Sequence, residues 1–168
     1  MNPGLFWISG PWLGRLAVAS RPRGGDWLED EATGWRRAGI DVVVSLLEKE
    51  EAAQLELIYE GEAAEAKGMQ FIAFPIPDRG VPASIEAARS LLRTLGNALE
   101  EGKNVAVHCR QGIGRSGLIA AGVLVASGIS TERAIEAVSA ARGQAIPETP
   151  DQLRWLRSLP SGDLVVTP

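Results

Sequence analysis

Residues 104–126 read NVAVHCRQGIGRSGLIAAGVLVA, and this stretch decides the fold. Residues 104–108 are short and mostly apolar, which predicts a strand buried on both faces of a sheet. Residues 116–126 are apolar and precede Gly128, which predicts a helix that ends at this glycine. A strand that enters a helix through a glycine-rich loop indicates one βα unit of a parallel sheet.

The remaining sequence repeats this alternation. Further strands are predicted over residues 5–9, 15–19, 42–47 and 69–75, and further helices over residues 27–38, 85–101, 130–142 and 148–159. Residues 48–66 are acidic and rich in alanine, which predicts one or two exposed helices with a break near Gly61. The pattern predicts an α/β fold in a single domain over residues 1–168, with its core over about residues 16–156. We expect a central, mostly parallel sheet of about four to five strands with helices on both faces.

Composition and charge exclude several functional classes. The chain of 168 residues has a net charge of −4, so it has no overall attraction for nucleic acid or an anionic membrane. A single cysteine excludes an internal disulfide and a thiolate zinc cluster, and a single histidine leaves no multi-histidine metal site. We therefore expect no metal, no cofactor, no nucleic-acid partner and no membrane contact. We also expect a cytoplasmic location, because no apolar run is long enough for a bilayer and the N-terminus lacks a secretory signal pattern. The expected oligomeric state is a monomer.

The loop between the predicted strand and helix has the composition of an anion site. We call residues 109–115 the cysteine loop. Its glycines leave backbone N–H groups unobstructed, so several amides can turn toward one centre. The N-terminus of the predicted helix adds partial positive charge, and Arg115 can hold two phosphate oxygens with its planar fork. The residues predicted to bind phosphate are Arg110, Gln111, Gly112, Ile113, Gly114 and Arg115.

The same charges act on Cys109. Backbone amides, a helix N-terminus and an arginine all favour the thiolate, which is the nucleophilic form of cysteine. The loop therefore supplies a nucleophile together with a site that presents phosphorus to it. The alternative is an inert cysteine at a strand end, since most lone intracellular cysteines are buried core residues. The spacing of His, Cys, Gly, Arg and Ser in one segment favours the nucleophile.

This segment resembles the signature loop of the cysteine-dependent protein tyrosine phosphatases, in which His-Cys is followed by five residues, Arg, and Ser or Thr. The resemblance implies that Cys109 attacks phosphorus to form a phosphocysteine and that Arg115 holds the equatorial oxygens. It also implies that Ser116 donates a hydrogen bond that helps the thiolate leave, and that His108 is structural. The chain looks most like the compact atypical dual-specificity phosphatases, including the group of the cyclin-dependent kinase-associated phosphatase.

A phosphate ester also needs an acid to protonate its leaving oxygen. Asp78 is the best candidate, because it follows a predicted strand in a loop stiffened by Pro77 and Pro82. The resembling family carries its acid in such a loop. The alternative is an ordinary turn aspartate, which is a common residue in turns.

Residues 146–152 resemble the segment that positions the hydrolytic water in tyrosine-specific phosphatases. Glu148 stands in place of the first glutamine of that segment, and Gln152 in place of the second. The role of Glu148 stays open between positioning the water, acting as a second acid or base, and capping the following helix. Gln152 is predicted to support the same step.

Three functions remain open from the sequence. The first is a phosphatase of phosphotyrosine, and of phosphoserine or phosphothreonine, in a protein or peptide. The second is a phosphatase of a non-protein substrate such as an inositol lipid, a sugar phosphate or an RNA 5′ end. The third is a phosphopeptide-binding module without catalysis, which the presence of cysteine, arginine and acid together disfavours.

Two further features are predicted to be structural. The arginines of the Arg21-Pro22-Arg23 and Arg36-Arg37 runs are predicted to be solvated surface groups. The scattered tryptophans are predicted to pack in the core or at its boundary. They are Trp7, Trp12, Trp27, Trp35 and Trp155.

Overall fold

The protein is described by a computed structural model that covers residues 4–160. Its strands are β1 Leu5–Ile8, β2 Leu16–Ala19, β3 Val42–Ser45, β4 Gln70–Ala73 and β5 Val105–His108. Its helices are α1 Leu28–Arg37, α2 Lys49–Gln54, α3 Glu60–Ala66, α4 Ile85–Glu100, α5 Gly114–Ala126, α6 Thr131–Arg142 and α7 Pro150–Ser158.

The strands form one sheet in the order β1-β2-β5-β3-β4. β1 is antiparallel to β2, and the other three pairings are parallel. The central strand is therefore β5, whose last residue, His108, is in register with Ala19 of β2 and Ser45 of β3. The predicted α/β fold with a mostly parallel sheet is confirmed.

Alternation of side chains along the strands builds a core on each face of the sheet. Val44 and Val107 lie on the face covered by α4, α5, α6 and α7. Val43 and Ala106 lie on the opposite face, where they pack with Trp35 of α1. Every residue of α5 is buried, which explains why this helix is apolar on all sides beyond Arg115 and Ser116 in its first turn.

The acidic segment after β3 differs from its prediction. The break between α2 and α3 falls at residues 55–59, and Gly61 lies inside α3. A Cβ at Gly61 would lie 2.8 Å from the ring of Phe71, so this glycine allows α3 to pack closely on β4. The predicted break between two helices is therefore confirmed, but it lies before Gly61 and not at it.

The tryptophans follow their prediction except at one position. Trp12, Trp35 and Trp155 are buried and Trp7 is half-buried. Trp27, in a single 3-10 turn before α1, is 54% exposed, so the packing prediction is wrong for this residue.

Within residues 4–160, none of the helices combines the length and the apolar character needed to span a bilayer. The same residues contain no group of three or more His, Cys, Asp and Glu side chains arranged to hold a metal ion.

The parallel strands place their following loops on one edge of the sheet. In such sheets, ligands bind beyond the carboxyl ends of the strands. The segments after β5, β4 and β3 carry Cys109, Asp78 and Glu51 respectively, and all three meet at this edge.

Candidate active site

Cys109 follows β5 directly and is almost fully buried. Its Sγ lies 3.3 Å from the hydroxyl oxygen of Ser116. α5 begins at Gly114 rather than at the predicted Ser116, so Arg115 and Ser116 both lie in its first turn. The first turn of a helix carries unpaired N–H groups and partial positive charge, so the sulfur lies where an anion is stabilised.

Arg115 is held along one edge of its guanidinium. Nη1 donates to Glu51 Oε1 at 2.6 Å and to the Ile76 carbonyl at 2.9 Å, and Nη2 donates to Glu51 Oε2 at 2.9 Å. A guanidinium has five N–H donors, and hydrogen bonds to residues 4–160 occupy three of them, with Asp78 Oδ1 lying 3.5 Å from Nη2. The two that remain, on Nε and Nη2, form the parallel edge that matches two phosphate oxygens.

The charges around Arg115 fix its ionisation and that of Glu51. Burial lowers the pKa of Arg115, but the hydrogen bonds that Arg115 donates to Glu51 and the charges of Cys109, Glu51 and Asp78 outweigh it, and the pKa of Arg115 is raised. The hydrogen bonds from Arg115 lower the pKa of Glu51 below its usual value, against the effect of burial. Both groups are therefore charged throughout the neutral range.

A cavity of about 130 Å³ opens onto the sulfur. Its lining residues are Asp78, Arg79, Cys109, Arg110, Gln111, Gly114, Arg115 and Glu148. Of the predicted phosphate-binding residues, Gly112 and Ile113 do not line it. The Ile113 side chain packs against the core instead, so these two residues can act only through their backbone.

Two arginines hold the outer side of the cysteine loop. Arg142 donates from Nε to the Gly112 carbonyl at 2.7 Å and from Nη2 to the Gln111 carbonyl at 3.3 Å. Arg21 donates to the carbonyl of Arg110. Carbonyls that are held outward leave the amides of the loop free to turn inward, as an anion site requires.

Asp78 lies at the mouth of the cavity. A tight turn, closed by the Gly80 N–H donating to the Pro77 carbonyl at 2.8 Å, places Asp78 and Arg79 at its centre. Asp78 Oδ1 lies 3.5 Å from Arg115 Nη2, and the Asp78 side chain is 64% exposed. The carboxyl predicted as the acid therefore faces the same cavity as the sulfur.

Glu148 reaches into the cavity beside the helix N-terminus. A Cβ on Gly114 would lie 2.5 Å from Glu148 Oε2, so the glycine provides the space that the carboxylate fills. Glu148 also pairs with Arg79 at 3.8 Å. The possibility that Glu148 caps the next helix is wrong, because α7 begins later and Thr149 is its N-cap.

Gln152 is buried and does not line the cavity. Its Oε1 accepts a hydrogen bond from the Glu148 backbone N–H at 3.0 Å, and its Nε2 donates to the Gly80 carbonyl at 3.1 Å. The side chain predicted to support a water thus ties the Glu148 segment to the Asp78 turn.

Comparison with known proteins identifies this arrangement. Residues 17–129 match a family described as Tc-R-P, a polymorphic toxin system DSP-PTPase phosphatase. The chain belongs to this phosphatase family. The crystal structure of Tk-PTP in its active form is 30% identical, has a TM-score of 0.75 and covers 99% of this chain and 100% of that one. Kinase associated phosphatase, at 22% identity, shares the fold with a TM-score of 0.81 over 90% of each chain.

Curated relatives match over part of their length. Protein tyrosine phosphatase domain-containing protein 1 of Mus musculus is 40% identical over 100 residues, which are 59% of this chain and 13% of that protein. Cyclin-dependent kinase inhibitor 3 of Rattus norvegicus is 33% identical over 84 residues, 49% of this chain and 39% of that protein. The phosphatase chain thus spans well under half the length of these relatives.

Behind the cysteine loop, His108 forms a buried hydrogen bond with Glu60 that the sequence did not suggest. Its Nε2 lies 2.6 Å from Glu60 Oε2, and both side chains are almost fully buried. Its Nδ1 lies 3.4 Å from the carbonyl of Cys109, and its ring lies 5.8 Å from the ring of Trp35. His108 thus connects the start of α3 to the backbone of Cys109.

Glu51 and Glu60 are the site residues that sequence reasoning missed. Both fall in the segment predicted as exposed acidic helices, where carboxylates normally face water. The prediction of exposure is wrong for these two. The available signal was position, because residues just beyond the carboxyl end of a buried parallel strand lie at the ligand edge of the sheet.

Proposed function

We propose that this phosphatase hydrolyses phosphate monoesters on protein substrates, phosphotyrosine and also phosphoserine or phosphothreonine, through a phosphocysteine on Cys109. One observation carries the proposal. The Cys109 sulfur, the Asp78 carboxyl and Arg115, with two donors left for a ligand, share one cavity of about 130 Å³. Phosphoryl transfer to a cysteine needs three groups: a nucleophile, a general acid and a group that binds the phosphate oxygens.

In the first step, the Cys109 thiolate attacks phosphorus and an S–P bond forms. The P–O bond to the substrate breaks, and Asp78 gives its proton to the leaving oxygen. The two N–H donors of Arg115 and the amides of the cysteine loop hold the three remaining oxygens, on which negative charge is spread. Because these donors are fixed before the substrate arrives, they stabilise the transition state without reorganisation.

In the second step, water attacks the phosphocysteine and the S–P bond breaks. The proton of the water passes to a carboxylate, inorganic phosphate leaves, and Ser116 donates to the departing thiolate. Asp78, now deprotonated, and Glu148 are the two carboxylates that line the cavity. Glu148 is proposed to position this water. Its carboxylate pairs with Arg79 and fits into the space that the missing side chain of Gly114 leaves.

Release of inorganic phosphate from a set of substrates tests the proposal. The set is a phosphotyrosine peptide, its phosphoserine and phosphothreonine forms, a phosphoinositide, a sugar phosphate and a 5′-phosphorylated RNA. We expect turnover of the peptides, and none by Cys109→Ser, because a serine hydroxyl does not ionise near neutral pH. Turnover of a non-protein substrate far above every peptide would reassign the substrate. Turnover by Cys109→Ser at more than a trace would refute the covalent route.

A further inference from the structure

A second cavity adjoins the phosphate cavity through the cysteine loop. It has a volume of about 400 Å³ and is lined by residues 20–24, Trp27, Leu55, Glu56, Arg110 and Gln111. We call it the arginine groove. Arg110 and Gln111 line both cavities, so the arginine groove lies next to the phosphate cavity.

The arginine groove is lined by three guanidinium groups and one carboxylate, those of Arg21, Arg23, Arg110 and Glu56. Within residues 4–160, Arg21 contacts a backbone carbonyl and no carboxylate. The nearest carboxylate to Arg110 is Glu51, at 3.8 Å, and Glu51 already forms two hydrogen bonds with Arg115. Arg23 is already paired with Glu31, at 2.5 Å. Among residues 4–160, Arg21 is therefore the groove arginine that contacts no carboxylate, and Arg110 shares its carboxylate with Arg115.

Two of these arginines are held in place before any ligand binds. Arg21 is anchored to the cysteine loop through the Arg110 carbonyl. The guanidinium carbon of Arg23 lies 4.2 Å from the centre of the Trp27 ring, and its Nε is paired with Glu31. An arginine already held against an aromatic ring loses less conformational freedom when a ligand binds than a freely moving arginine does. The exposed Trp27 therefore serves to hold Arg23 in place and not to pack in the core.

We propose that the arginine groove binds acidic side chains next to the phosphorylated residue of a protein substrate. This inference rests on the proposed function and adds the substrate class to it. Carboxylates accept hydrogen bonds from guanidinium groups in the same two-oxygen geometry as phosphate. The peptide's phosphate would occupy the cavity at Cys109, and its neighbouring carboxylates would lie against Arg21, Arg23 and Arg110.

The test compares two phosphotyrosine peptides that differ only in the flanking residues, aspartate on both sides in one and asparagine in the other. The measured quantity is the ratio of their kcat/KM values. We expect wild type to prefer the acidic peptide about tenfold, and each of Arg21→Gln and Arg23→Gln to lower the ratio about three- to fivefold. Raising NaCl from about 0.05 M to about 0.5 M is expected to reduce the preference, because exposed charges are screened.

Matched controls separate recognition from loop support. Arg93→Gln removes an exposed arginine of α4 that lines neither cavity, and we expect it to leave the ratio unchanged. Any loss that follows from removing the Arg21 contact with the cysteine loop affects both peptides equally, so it cancels in the ratio of their kcat/KM values. An aryl phosphate without flanking residues reports the basal turnover separately. Equal kcat/KM for the two peptides in wild type, or an equal effect of Arg93→Gln, would overturn the arginine groove and leave the proposed function intact. Turnover of the aryl phosphate with neither peptide hydrolysed would overturn the protein-substrate function, and this inference with it.

Discussion

Replacement of Glu51 by glutamine tests whether this carboxylate holds Arg115 for catalysis. The Glu51 side chain is 13% exposed and forms two charged hydrogen bonds with a guanidinium that is 2% exposed. Glutamine keeps the size of the side chain and one acceptor, but it removes the charge. Breaking a buried ion pair costs about 3–5 kcal/mol. The partial exposure and the remaining acceptor reduce the expected loss for Glu51→Gln to about 2 kcal/mol.

The same substitution is expected to reduce catalysis. A guanidinium no longer fixed along one edge misplaces the two donors left for phosphate, and errors of this kind cost about 10- to 100-fold in kcat/KM. Thermal unfolding should show a Tm lower by about 4–8 °C, as a chain of this size loses about 2–4 °C for each kcal/mol. Glu50→Gln is the matched control, because it makes the same charge change at an exposed position of the same helix. Equal activity and Tm for the two variants would refute the role of Glu51.

The pH dependence of stability gives a second readout of the same contact. The pKa of Glu51 is lowered in the folded protein, so the unfolded chain takes up the proton first as the pH falls. The contribution of Glu51 is therefore complete above its ordinary value of 4.5 and is lost as the pH drops through the lower, folded value. Urea unfolding of wild type at acid pH should show this loss, and Glu51→Gln should lack that part of it.

Substitutions at three further residues test the rest of the site. Asp78→Asn should slow esters with poor leaving groups by about 10²–10⁴-fold and activated aryl esters less, and an equal loss on both would place the acid elsewhere. Gly114→Ala should slow hydrolysis of the phosphocysteine but not its formation, because the new methyl displaces the Glu148 carboxylate; a burst of the leaving group followed by slow turnover would show this. Glu60→Ala should lower the free energy of unfolding by about 2 kcal/mol, because it leaves a buried nitrogen of His108 without its partner. Glu60→Gln, which still accepts a hydrogen bond from His108, should lose less, and equal losses in urea unfolding would contradict the role of this contact.

The fold was largely predictable because the pattern of apolar residues in each segment agrees with the place of that segment in the fold. The continuous apolar runs at β3 and β5 are typical of strands covered on both faces, and the turn from Cys109 to α5 carries its own glycines. The start of α5 is predicted at Ser116 but lies two residues earlier, at Gly114. Glycine is a poor helix former, so the sequence pattern gives little sign that a helix begins there. Here the space above Gly114 is filled by Glu148, a contact from a distant segment that no local pattern records.

The groups that line the cavity were easier to predict than those that support them. Residue type and sequence spacing already suggest a reactive role for Cys109, Arg115 and Asp78. The structure brings all three to one cavity. Glu51 and Glu60 are two glutamates among many in an acidic segment, and only the tertiary fold pairs them with Arg115 and His108. A supporting residue is defined by its partner, so its own sequence neighbourhood gives little sign of its role.

Transfer of the phosphoryl group to the Cys109 sulfur is the central claim, and acid quenching during turnover tests it most directly. The quenched protein is digested, and the peptide that contains Cys109 is examined by mass spectrometry for an added phosphoryl group. We expect a phosphoryl group on that sulfur in wild type, more of it in Glu148→Gln, and none in Cys109→Ser. A phosphoryl group on another residue, or continued turnover with Cys109 never modified, would contradict this claim.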